Sequence, residues 1–215
     1  HNLLNIPGWN TNRHIVVVES DDWGAIRMPS KEVYEKLLHA GYRVDKNRYE
    51  SNDSLERGDD LSALFDVLLK YKDKNGSHPI ITANCAVANP DFDRIKADNY
   101  QNYYYEPFTE TYKRYKGCEQ SLILWHQGMK EKLFMPQFHA REHLNVAKWI
   151  HDLQANDESA RYVFGYGIMG LFQKWQQENL YQVAFDDSQY KLQPLNEIVS
   201  EGMELFKQIF NINSK

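Results

Sequence analysis

The segment "IVVVESDDWG", Ile15 to Gly24, constrains this chain more than any other, because an apolar, β-branched run ends directly in Glu19, Ser20 and two adjacent aspartates. A continuous run of this kind suits a parallel strand covered on both faces, so "HIVVVES" is predicted to be the first strand of a parallel sheet. Asp21 and Asp22 then stand at its carboxyl end, where α/β folds hold their sites. Two neighbouring carboxylates repel, and both cannot be desolvated cheaply; a bound cation or an array of hydrogen-bond donors relieves the conflict. Asp-Asp-x-Gly is also an ordinary polar turn, so on its own the segment leaves both readings open.

The rest of the chain alternates strand and helix signals. Ser30 is a candidate N-cap for a helix carrying Val33, Tyr34, Leu37 and Leu38, with Gly41 as its stop. Leu61, Leu64, Phe65, Leu68 and Leu69 define a second helical face that ends by Asn75-Gly76. "HPIITANCAV" reads as a second strand. Residues Asp98 to Gly117 are Tyr-rich and irregular, the pattern of an insertion. "LFMPQFHAREHLNVAKWIHDL" carries a third strand into a His-rich turn and an amphipathic helix. "ARYVFGYGIMGLF" fits a Gly-interrupted strand or a loop, and Leu195, Ile198, Val199, Leu205, Phe206 and Ile209 share the face of a last helix. Such alternation predicts a parallel α/β sheet or barrel. With 215 residues, one domain spanning 1–215 is expected.

Composition narrows the partners. Lys and Arg are spread without a basic block and the net charge is -5, so the footprint of a nucleic-acid binder is missing and no nucleic-acid partner is expected. Cys85 and Cys118 are far apart and outside any C-x-x-C spacing, which points to buried thiols rather than a disulfide framework or thiolate metal site. No apolar run has the length of a membrane span. No signal peptide is visible, which favours the cytoplasm as the expected compartment, although His1 in place of Met leaves room for a leader already removed. A homo-oligomer remains open to it.

The second polar cluster is "PQFHAREHLN". His139 and His143, four residues apart, share one side if the segment turns helically and can then reach one metal ion; with 8 His in the chain, chance pairing is the alternative. Two imidazoles and a carboxylate form a three-ligand site with a position left for water, the pattern of a catalytic zinc. Water on zinc ionises near neutrality, and a nearby carboxylate can take its proton. Asp22 is the expected ligand and Asp21 the expected base.

These residues resemble the polysaccharide deacetylases of carbohydrate esterase family four, the NodB-like group, with the YdjC-like sugar deacetylases as relatives. "VESDDWG" is similar to the strand ending in "TFDDG", with Trp23 inserted before the Gly, and "FHAREHL" to H-[ST]-x-x-H, with Ala140 in place of the hydroxyl residue. The resemblance implies a distorted (β/α) barrel and a hydrolase acting on C–N bonds other than peptide bonds, which removes acetyl groups from a carbohydrate. It implies Asp21 as base and Asp22, His139 and His143 as ligands of a divalent metal, most simply zinc. It covers the first two family motifs only. The Arg-x-Pro strand and the later His acid would lie past Lys215, so the chain is expected to be an amino-terminal portion whose later barrel strands are missing.

Trp23, Arg27, Asn84 and Arg141 are further candidates for substrate binding, each with a packing or loop-anchoring role as the alternative. Tyr103, Tyr104 and Tyr105 could stack on sugar rings. Two rival functions use the same residues. "HAREH" also fits the inverted zinc-peptidase signature H-x-x-E-H, in which Glu142 would be the base, and this requires a helix across both His. A sugar-binding protein that keeps its ligands without catalysis is the other.

Overall fold

The computed structural model describes residues 11–12, 14–171, 181 and 193–214. In chain order it contains β1 (Val18–Trp23), α1 (Lys31–His39), a 3-10 turn at Val44–Lys46, α2 (Arg48–Asn52), α3 (Gly58–Leu68), β2 (Ile81–Ala86), β3 (Ala88–Pro90) and α4 (Phe92–Ala97). There follow β4 (Tyr105–Pro107), α5 (Phe108–Tyr112), α6 (Ser121–Lys130), β5 (Phe134–Ala140), α7 (Val146–Gln154), α8 (Glu158–Phe164) and α9 (Leu195–Phe210). The sheet that matters is parallel, in the order β1-β2-β5, and a separate antiparallel pair joins β3 to β4. The fold is therefore mixed α/β with a parallel sheet, and no closed barrel is seen among the described residues.

Local signals explain most elements. Ser30 caps α1, its hydroxyl accepting from Val33 N at 3.2 Å, which satisfies one of the free N–H groups of the first turn. Asn145 caps α7 and Asp157 caps α8 in the same way. The main core lies under the sheet, where α3, α6 and α9 bring Phe65, Trp125, Phe206 and Phe210 against Phe134 of β5. Trp125 and Phe134 meet edge to face at 4.8 Å, a geometry the ring quadrupoles favour. Burying an aromatic such as Phe134 contributes roughly 1.5–3 kcal/mol. Gly128 makes this packing possible, since a Cβ there would lie 2.5 Å from the Phe65 ring and 2.8 Å from Phe134.

Three expectations change. The run before and into β1 is not covered on both faces: Val16 is 87% exposed and Val17 67%. Both precede β1, whose ladder with β2 begins at the pair Val18 with Ile81, so the most apolar part of the run lies outside the sheet. The Tyr-rich stretch is not irregular; it supplies β4 and α5, and it buries Phe108 and Tyr112 in the main core. "ARYVFGYGIMGLF" begins as helix α8, whose Ala160, Val163 and Phe164 are buried, so the helical spacing of those three outweighs the glycines that follow. No described helix is long and apolar enough to cross a membrane.

Candidate metal centre

Both sequence clusters sit where the parallel ladder breaks. On β1, Ser20 pairs with Ala83 and the next pair is Trp23 with Cys85, so one surplus residue is accommodated at Asp21-Asp22. On β5, Phe138 pairs with Cys85 and Ala140 with Ala86, which leaves His139 as the surplus residue there. A bulge redirects the side chain it contains. Two bulges flank the end of β2, one on each side, and each carries one half of the site.

The Asp22 backbone is left-handed, with φ 65°, a region Asp tolerates better than most residues. The turn after it is held from below. Asn89, 1% exposed, accepts from Ile26 N at 2.9 Å and donates to Gly24 O at 2.8 Å. Gly24 has φ 81°, and a Cβ there would fall 2.6 Å from the Ala86 carbonyl, so the Gly of the motif serves strand-to-strand approach. Glu56 receives hydrogen bonds from Gly24 N at 3.3 Å and from the Tyr112 hydroxyl. Although Glu56 as a residue is only partly buried, its carboxyl is enclosed, and burial pushes it up to about 7 against the opposing effect of those bonds.

Asp22, His139 and His143 offer ligand atoms that all lie within 4.8 Å of one another. His139 Nε2 is 3.4 Å and His143 Nε2 3.8 Å from the same oxygen, Asp22 Oδ1. Atoms bound tetrahedrally to zinc at ordinary bond lengths are about 3.3 Å apart, so the trio needs little adjustment to close on a cation. The two imidazoles are near-parallel, at 19° and 5.4 Å. Asp22 Oδ1 is buried and, with His139 Nε2 3.4 Å away, has no hydrogen bond of normal geometry among the described residues, whereas Oδ2 is taken by Arg27 Nη2. An acceptor left unmatched between two imidazoles, its twin oxygen clamped by a guanidinium, is the fit a divalent cation requires. The donor set of two nitrogens and one oxygen suits zinc and its neighbours.

Charge supports the same arrangement. Burial raises the Asp22 carboxyl, but contact with His139 and the charges of Arg27 and His143 outweigh it and hold the group at about 2. His139 is raised by Asp22, while burial lowers His143 and so favours its neutral, ligating form. Asp21 is exposed at the rim, with Asn84 Nδ2 donating to its Oδ1 at 2.7 Å. Arg27 also approaches Asp53, Nε to Oδ2 at 3.4 Å.

Each of the four candidate substrate residues has contacts within the protein, and Arg27 also lines the cleft described below. Trp23 packs edge-on against Phe134 at 4.8 Å and Trp125 at 6.0 Å. Arg27 pairs with Asp22 and Asp53, and Asn84 orients Asp21. Arg141, 2% exposed, is bonded to Glu142 through Nε at 2.7 Å and Nη2 at 2.8 Å. Those bonds occupy both Glu142 oxygens. Because β5 runs through Ala140 and the residues after it are bends, no helix spans the two His, and the inverted-peptidase arrangement is not formed. Tyr105 stacks under Arg141 at 4.4 Å, and Tyr103 and Tyr104 pack against the cluster around Trp149; none of the three lines the cleft described below.

A cleft of about 680 Å³ opens beside the centre, bordered by Asp21, Asp22, Arg27, Tyr49, Asn52 and Asp53. A narrower pocket of about 40 Å³ lies on the His143 side, where Ile26, Met28 and Leu144 share its wall with Arg27, Tyr49 and Glu50. The cleft is of ligand-site size. No family model, curated protein or solved structure matches the chain. Sequence reasoning missed Asn89, Glu56, Asp53 and Tyr49. The first two support the turn through contacts more than thirty residues away in sequence, and the last two lie in a polar stretch that carries no periodic signal.

Proposed function

We propose that the protein is a metal-dependent hydrolase that removes acetyl groups from a carbohydrate. The observation that carries this reading is the buried, unmatched Asp22 Oδ1 facing both His139 Nε2 and His143 Nε2. The resemblance of "VESDDWG" and "FHAREHL" to the deacetylase motifs supports the reaction class, and on that reading the described sheet is part of a NodB-like distorted barrel. A divalent cation held by Asp22, His139 and His143 would supply Lewis acidity and a water of lowered pKa. His139 and then Arg27 keep the Asp22 carboxylate ionised against its burial, and Arg27 fixes its direction. Asp21 lines the cleft and is held by Asn84, and on this reading it would accept the proton of an attacking water.

Metal content of the purified chain, measured by plasma mass spectrometry beside Asp22→Ala, His139→Ala and Glu142→Gln, is the test. Near-stoichiometric zinc or a similar ion is expected in the parent and in Glu142→Gln, with loss in the other two. Acetate release from acetylated oligosaccharides then separates an enzyme from a protein that only binds. Metal kept without Asp22 sinks the proposal.

A further inference from the structure

The cleft wall opposite the metal residues is built by α2, and that wall is the part of the site to which no role has been given. Asn47 caps this short helix, its side chain accepting from Tyr49 N at 2.8 Å and Glu50 N at 3.4 Å. With Glu50 turned inward at 8% exposure, Arg48, Tyr49 and Asn52 face outward. Tyr49 is 60% exposed, and no described aromatic ring contacts it. It borders both the cleft and the narrower pocket, which Asp22 and His143 respectively also line, so it stands on the ridge between them. A single exposed aromatic is common on protein surfaces. This one differs in that an open cleft adjoins it and polar groups surround it.

Those groups have spare hydrogen-bonding capacity. Arg48 has no acidic partner among the described residues. The Asn52 amide nitrogen is used by Arg48 O and Ser51 Oγ, at 3.1 and 2.9 Å, which leaves its carbonyl oxygen to accept. Asp53 adds a second acceptor on the cleft side. A flat aromatic plate ringed by donors and acceptors complements a pyranose ring, which has apolar C–H faces and a hydroxyl edge.

We propose that Tyr49 is the platform on which a hexopyranose ring of the substrate stacks, with Arg48 and Asn52 hydrogen-bonding its hydroxyls, in the cleft that Asp22 also lines. The proposal rests on the carbohydrate reading above and deepens it, assigning α2 as the element that selects the glycan. It also moves the stacking role from Tyr103–Tyr105 to a residue outside the Tyr-rich segment.

The test uses two probes on the full chain, cellotetraose, which has no acetyl group, and chitotetraose, which has four, with binding followed by calorimetry. Both are expected to bind the parent protein, with Tyr49→Ala weakening each about tenfold and Tyr49→Phe staying close to the parent. Metal content should be unchanged in both variants. Where acetate release is measurable, Tyr49→Ala should raise KM and leave kcat alone. Parent-like binding by Tyr49→Ala, or no binding of either sugar by the parent, overturns the platform. Because cellotetraose carries no acetyl group, its binding tests the platform even if no metal is held and no acetate is released, so the two proposals fail separately.

Discussion

His139 and Arg141 are two residues apart, yet they belong to two charge clusters with opposite designs. Around Arg141 the donors and acceptors are matched: Glu142 takes two bonds, Gln193 one at 3.1 Å, Glu201 another, and the Tyr105 ring covers the guanidinium face. Around Asp22 the matching stops halfway. Arg27 holds one carboxylate oxygen, and the other is buried with two imidazole nitrogens in front of it and no hydrogen bond. A closed cluster holds the loop; an open one leaves work for something that arrives. The difference teaches that burial and charge alone do not mark a site, since Arg141 and Glu142 are more buried than any of the metal residues.

The closed cluster should be the more costly to break. Arg141→Ala strands Glu142 in the interior, and loss of one partner of a buried pair costs about 3–5 kcal/mol, measurable by urea unfolding. A loss below about 1 kcal/mol would mean the cluster is not matched as described.

Glu56 lies beneath the open cluster and, unlike Glu142, has no guanidinium bonded to it. Its carboxyl is raised from 4.5 to about 7 by burial. A raised carboxyl favours the fold while protonated: that contribution is full below pH 4.5 and is lost as pH rises towards 7. Glu56→Gln mimics the protonated form. It is therefore expected to stabilise the protein by about 3 kcal/mol at pH 8 and by almost nothing at pH 4. Equal effects at both pH values would show that the charge is not the cause.

The smallest of these effects concerns the boundary between the clusters' designs. Arg27→Gln removes the clamp on Asp22 Oδ2 and keeps all three metal residues. Supporting groups of this kind are worth about 10–100-fold in metal affinity, so zinc titration of this variant should show weakened but surviving binding. Unchanged affinity would assign Arg27 to the loop alone.

The site was legible in sequence because its residue types are unusual at strand ends: Asp-Asp after an apolar run, and two His four apart after another. The segments that became β2, β5, α1 and α7 announced themselves through apolar runs, periodicity and caps. What the sequence did not carry is direction. Helical spacing would put His139 and His143 on one side, whereas the structure reaches the same juxtaposition from a strand bulge and the bend beyond it. Trp23 could not be assigned to cleft or core until Phe134 and Trp125 were seen around it. The exposure of the first strand was illegible for a related reason, since a β-branched run reports what a strand can bury and says nothing about whether a neighbour is there.

The two bulges make the centre a matter of counting as well as chemistry. Asp22 and His139 each owe their aim to one extra residue relative to β2. Removing a single residue from either strand end would restore a regular ladder and turn that ligand away, while every Asp and His the site needs stayed in the chain. Single-residue insertions and deletions at these two strand ends are thus a route by which such a fold can assemble or disperse a group able to hold a cation without a change in residue composition, and length there is as informative as identity.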